Sequence, residues 1–111
     1  MNGYYELKTT TTGKPMFNLK AGNHEVILTS EVYESKAAAL NGIESVRKNG
    51  VNAAAFEKKM SVKNEPYFVL KAANGQVIGK SEMYSSEAAC DNGIASVMRN
   101  CPSEKIVEVA A

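Results

Sequence analysis

Apolar and polar residues alternate with a period of two from Tyr4 to Thr9, where Tyr5 and Leu7 are interleaved with Glu6 and Lys8; this predicts a half-buried strand. Thr10 to Lys14 follows as a polar turn containing Gly13, and Pro15 opens a second strand at a place where a missing N–H does least harm. Phe17, Leu19 and Ala21 then share one face, with Met16, Asn18 and Lys20 on the other. Beyond Asn23-His24 a third strand runs to Ser30, and a short connection, Glu31 to Glu34, leads to a segment of helical period. There Ala39, Ile43 and Val46 form an apolar stripe with Leu40 beside it, and the helix is expected to end near Asn49. Ser35 is placed to cap it by accepting an early N–H, and Lys48 suits its last turn.

The pattern then repeats. Pro66 to Asn100 aligns with Pro15 to Asn49 without a gap, and about 20 of 35 positions are identical. Ser86, Cys90, Ile94, Val97 and Arg99 take the places of the first cap, stripe and last turn. Asn74-Gly75 matches Asn23-His24, and Asn-Gly is the strongest short hairpin signal, because a type I′ turn needs positive φ at both central residues. A two-residue loop sets Ala21 opposite Val26, Leu19 opposite Leu28 and Phe17 opposite Ser30. In the second copy it sets Ala72 opposite Val77, Leu70 opposite Gly79 and Phe68 opposite Ser81, all on the core face. Ile27 and Ile78 are then expected on the other face, beside Lys20 and Lys71.

Phe56-Glu57 matches Tyr5-Glu6, and the strand-like run Lys105 to Val109 corresponds to Ala54 to Lys58 at the same offset of 51. The segment Ala53 to Ser61 therefore closes the first repeat and opens the second, with no Gly-, Ser- or Pro-rich linker between copies. Residues 1–111 read as a single domain of two intertwined β-β-β-α-β repeats, about 4–58 and 55–109. One helix covers only part of a sheet, so two copies side by side, with both helices on one face, would bury a common α+β core.

Three ordered motifs occur twice. They are Phe17-x-Leu19-Lys20-Ala21-x-Asn23 with Ile27, Ser30-Glu31-x-Tyr33-x-Ser35, and Asn41-Gly42-Ile43-x-Ser45-Val46, and they recur from Phe68, Ser81 and Asn92. In these motifs and over nearly its whole length the chain resembles the YegP family of small bacterial proteins. The resemblance implies a single antiparallel sheet built from two β3-α-β motifs, pseudo-two-fold symmetric, with exchanged C-terminal strands and both helices on one face. It also implies a monomer that is an internal pseudo-dimer. It brings no established activity and no catalytic residues. His24 in place of Gly, and Cys90, Asp91 and Cys101 in the second copy alone, depart from the repeat symmetry.

A net charge of +1 is too balanced for a general electrostatic role on nucleic acid or membrane. No apolar run approaches the roughly 20 residues of a membrane span, and the N-terminus lacks the basic-then-apolar layout of a signal peptide. A cytoplasmic location and no membrane partner are the expectation. Cys90 and Cys101, if both helical, lie roughly 16 Å apart along the axis, beyond the ~7 Å between Cα atoms that a disulfide allows. They read as a small buried thiol and a helix-end residue.

Candidate chemistry is sparse. His24 is the only histidine and falls at a hairpin tip, where a solvated turn residue is expected. Thr9 to Lys14 lacks the first glycine of a phosphate loop, and the cysteines lack zinc-site spacing, so no catalytic residue, metal or cofactor is expected. Asn41-Gly42 and Asn92-Gly93 lie in mid-helix, where glycine costs roughly 1 kcal/mol relative to alanine, so close packing or a ligand is expected there. Glu31, Tyr33, Glu82 and Tyr84 precede the helices, either as packing and charge at the helix start or as a duplicated polar binding rim. Met16, Asn18, Lys20, Tyr67, Val69 and Lys71 complete the uncovered sheet face, whose interleaved basic and aromatic residues suit single-stranded nucleic acid and whose Ile, Val and Met content suits a protein partner. The leading expectation is a non-enzymatic binding module with a protein or small-ligand partner. Glu31, Tyr33, Asn41, Glu82, Tyr84, Asn92, Tyr67, Lys20 and Lys71 are its candidate binding residues. Weak single-stranded nucleic-acid binding by the sheet face, and a ligand or enzyme site near the helix starts, are the alternatives.

Overall fold

A computed structural model describes residues 3–109. In chain order its elements are β1 (Tyr4–Thr9), β2 (Pro15–Lys20), β3 (Val26–Ser30), α1 (Lys36–Asn49), β4 (Phe56–Met60), β5 (Pro66–Lys71), β6 (Val77–Lys80), α2 (Glu87–Asn100) and β7 (Ile106–Glu108), with a 3-10 turn at Ala53–Ala55 before β4. Seven strands form one sheet in the order β4-β5-β6-β3-β2-β1-β7. Neighbours are antiparallel except β7, which runs parallel to β1 and makes the sheet mixed. The helices start where the serines predict: Ser35 Oγ accepts from Ala38 N–H and Ser86 Oγ from Ala89 N–H, both at 3.1 Å. Both pack over the central strands. Tyr5, Leu7, Phe17, Leu19, Leu28, Phe68 and Leu70 meet Ala39, Ile43, Val46, Cys90 and Val97 in one core.

The hairpins are built differently from the expected type I′ loops. His24 N–H donates to Ala21 O, Ala21 N–H donates to Glu25 O, and only His24 has positive φ, 71°. This is a type I turn followed by one left-handed residue and a bulge. The same turn recurs at Thr10–Lys14, Ser61–Glu65 and Ala72–Gln76, with Gly13, Asn64 and Gly75 in the left-handed position. The consequence is a register correction. Leu19 does face Leu28 and Leu70 faces Gly79, but Val26 pairs with Lys20 and Val77 with Lys71, not with the alanines. The extra residue in each bulge is Ile27 or Ile78, and it enters the core instead of the open face.

A pseudo-two-fold axis runs through the middle of the molecule, where β3 pairs with β6 and the equivalent residues Thr29 and Lys80 lie opposite each other. Equivalent side chains near this axis compete for one volume. Leu28 fills the space beside Gly79, where a methyl would lie 3.0 Å from Leu28 Cγ and 2.8 Å from Thr29 O. Cys101 likewise fills the space beside its equivalent Gly50, where a methyl would come within 2.7 Å of its Sγ. The copies diverge there because two large side chains cannot share one place.

Candidate interaction surfaces

The motif Ser-Glu-x-Tyr-x-Ser is mostly explained by packing. Buried Ser30 accepts Phe17 N–H and donates to Glu31 O; Ser81 does the same with Phe68 and Glu82. Tyr33 N–H donates to Pro15 O and Tyr84 N–H to Pro66 O, each at 2.8 Å. Each tyrosine ring stacks on the core phenylalanine of its own repeat, 6.1 Å from Phe17 and 6.2 Å from Phe68. Its hydroxyl end lies on the mid-helix glycine: a methyl at Gly42 would stand 2.6 Å from Tyr33 Cζ, and one at Gly93 2.7 Å from Tyr84 Cζ. The glycine and the tyrosine are therefore one device. Asn41 and Asn92 beside them are exposed on the helix surface.

Two shallow clefts remain beside these tyrosines, and each is built across the repeats. One, about 470 Å³, has Glu31, Tyr33 and Ser45 on one side and Gln76, Val77 and Ile78 on the other. The second, about 460 Å³, has Glu82 and Tyr84 facing Glu25, Val26 and Ile27. Burial raises the pKa of both tyrosines, so their hydroxyls are neutral donors and acceptors at neutral pH. Gln76 and Glu25, which sequence reading left out, belong here. They come from the other repeat, and only the strand pairing across the axis reveals that.

The uncovered sheet face brings Lys20, Tyr67 and Lys71 onto one surface. Glu6 bridges Lys20 at 3.1 Å and Lys8 at 3.2 Å, and in the equivalent place Glu57 bridges Lys59 and Lys71, each at 3.2 Å. The hydrogen bond from Lys20 holds the Glu6 carboxyl below its usual range, and that from Lys59 does the same for Glu57. Lys80 stands at the centre, opposite Val69 and Thr29. Asn18 is buried and donates to Thr29 Oγ1 at 3.0 Å, and Val69 is buried too. The Tyr4 hydroxyl bonds His24 Nδ1 at 2.9 Å, with the Lys105 ammonium over its ring. His24 is exposed at its turn, as expected, but tethered.

Both cysteines are free and buried. Burial pushes the Cys101 thiol up to about 11 and raises Cys90 as well, which opposes thiolate reactivity. Among the described residues no three of His, Cys, Asp and Glu gather where they could hold a metal ion. No helix among them is long and apolar enough to cross a membrane.

A family described as a domain of unknown function, DUF1508, matches the chain twice, over residues 11–57 and 61–108. A UPF0339 protein of Mannheimia succiniciproducens is 55% identical over 107 residues, covering 96% of this chain and 95% of its own. The UPF0339 protein YegP of Yersinia pestis is 59% identical over 98 residues, 88% of each chain. The solution NMR structure of a UPF0339 protein from Shewanella oneidensis superposes with a TM-score of 0.92 at 52% identity, covering 99% of this chain and 93% of that one. The solution NMR structure of YegP from E. coli, described as a protein of unknown function, gives 0.94 at 44% identity, with 100% and 96% covered. The chain belongs to the UPF0339 (YegP) family and carries the DUF1508 domain in duplicate.

Proposed function

We propose that this protein is a non-enzymatic interaction module, a cytoplasmic monomer with internal pseudo-two-fold symmetry, that presents its uncovered sheet face to an acidic surface of a partner protein. The charge of that face carries the reading. Lys8, Lys20, Lys59, Lys71 and Lys80 stand there against Glu6 and Glu57, in a chain whose total is only +1. One carboxylate shared by two ammonium groups orders both lysines and leaves a net positive charge, which preorganises the face for an anionic partner. Tyr67, Met16 and Val26 supply half-buried apolar area between the charges. Tyr4 is engaged by His24 and Lys105, so Tyr67 alone is left to stack on a base; a protein surface suits this face better than single-stranded nucleic acid.

The test is photo-crosslinking in cells, with benzoylphenylalanine in place of Tyr67 or, as a control, of exposed Lys48 on α1. Discrete crosslinked proteins are expected from position 67, lost on combining Lys59→Glu with Lys80→Glu and absent from position 48. Crosslinks indifferent to those reversals, equal yields from both positions, or products digested by nuclease would each overturn the reading.

A further inference from the structure

Two separate copies of a β-β-β-α-β unit would supply eight strands, but the described residues form seven, with β4 placed as both the last strand of one unit and the first of the next. The missing position can be located. On the outer edge of β1 lies β7, in parallel, with Tyr5 opposite Ile106, Glu6 opposite Val107 and Leu7 opposite Glu108. Tyr5 N–H donates to Lys105 O at 2.9 Å, and Val109 N–H to Leu7 O at 2.8 Å. The repeat equivalent of β1 is β4, and β4 ends the sheet. Backbone groups alternate along a strand, so Lys58 N–H and C=O face outward, as those of Leu7 face β7. We propose that the outer edge of β4 is a strand-addition site for an extended segment of a partner protein. The segment binds parallel to β4, with an apolar residue beside Phe56 and a basic residue two positions on.

The side chains follow from the occupied edge. Ile106 lies beside Tyr5, and the equivalent place on β4 is beside half-buried Phe56. Glu108 is met by Lys36 at the start of α1, 2.5 Å away. Position 87, the equivalent of Lys36, is Glu, and Asp91 stands where the first repeat has Leu40. Both carboxylates gather on Lys58, at 3.3 and 2.8 Å, which leaves a net negative charge. A lysine or arginine there is attracted, whereas the Glu108 of a second copy would be repelled. Exposed Met60 and Val62 replace Thr9 and Thr11 of the covered edge and extend the apolar contact. One ladder bond is already used, because Phe56 N–H donates to Ala53 O; pairing therefore begins at Phe56 C=O. Charges such as these commonly guard an edge against indiscriminate pairing; here they also select which strand is admitted.

The experiment titrates isotope-labelled protein with two nine-residue peptides, SEKIVEVAA, copied from Ser103 to Ala111, and SEKIVKVAA, and follows amide shifts. The lysine peptide is expected to shift Lys58 and Met60 saturably at up to about 1 mM and to bind roughly two- to fivefold more tightly than the glutamate peptide. Glu87→Lys should reverse that order; repeat one already carries Lys36 there, so the fold tolerates it. Lys58→Pro should abolish the shifts. Shifts confined to other residues, displacement of β7 from Tyr5 and Leu7, no binding at that concentration, or an order unchanged by Glu87→Lys would each overturn the proposal.

Discussion

Strands β1 and β4 are one strand of the repeat in two settings. On β1 the outer edge is covered by β7, and Tyr5 and Leu7 are buried. On β4 the same edge ends the sheet, and the equivalents are half-buried Phe56 and exposed Lys58. The Tyr5 hydroxyl donates to Cys101 O at 2.6 Å beneath the Arg47 guanidinium, and Phe56 has no hydroxyl to do so. Away from the axis the repeat interior stays symmetric, with Phe17 and Tyr33 against Gly42 matched by Phe68 and Tyr84 against Gly93. The edges differ because one strand does two jobs and only one closing strand is left over.

Removing β7 should have the largest effect. Truncation after Lys105 deletes half-buried Ile106 and Val107, their ladder bonds and the Lys36–Glu108 pair. A loss of about 3 kcal/mol in urea denaturation is expected, whereas Lys58→Pro on the bare edge should cost less than about 1 kcal/mol. The interior should respond symmetrically. Gly42→Ala and Gly93→Ala are each expected to destabilise by about 1–3 kcal/mol, despite better helix propensity, and to agree with each other within about 0.5 kcal/mol. Unequal losses would mean that the two tyrosine seats are not equivalent.

A smaller effect is expected at the axis. The Cys101 thiol is held protonated in the fold, up to about 11, and ionises from the ordinary 9.0 when unfolded. Its contribution is complete below pH 9 and is lost as pH rises towards 11, since the folded state then binds more protons than the unfolded one. Cys101→Ala should flatten that alkaline fall by about 1–2 kcal/mol, measured as denaturation midpoints against pH. Smallest of all, Glu87→Lys should change stability by less than about 0.5 kcal/mol, although it reverses the charge at the bare edge.

Most of the architecture was legible because it is written as periods. Strand alternation, the apolar helix stripes and the capping serines all lie in local sequence. The hairpin turn misled because Asn-Gly suits two turn types, and only geometry tells them apart. That difference of one residue moved Ile27 and Ile78 from the open face into the core. The pairing of Glu6 with Lys20 and of Glu57 with Lys71 needed the inter-strand register, and the clefts needed the pairing of β3 with β6. The parallel place of β7 depends on where α2 delivers the chain, which a three-residue strand does not encode. The mid-helix glycines and the tyrosines both stand out in the sequence, but only the folded chain shows that each explains the other.

Amide hydrogen exchange along the two equivalent strands reads out whether the outer edge of β4 is bare. Leu7 on the covered edge should be strongly protected. On β4, Glu57 and Lys59, which bond to β5, should be protected, while Lys58 and Met60, which alternate with them, exchange close to the rate of an unfolded chain. Protection of Lys58 and Met60 equal to that of Leu7 in the isolated protein would contradict the account, because an eighth strand would then already be in place.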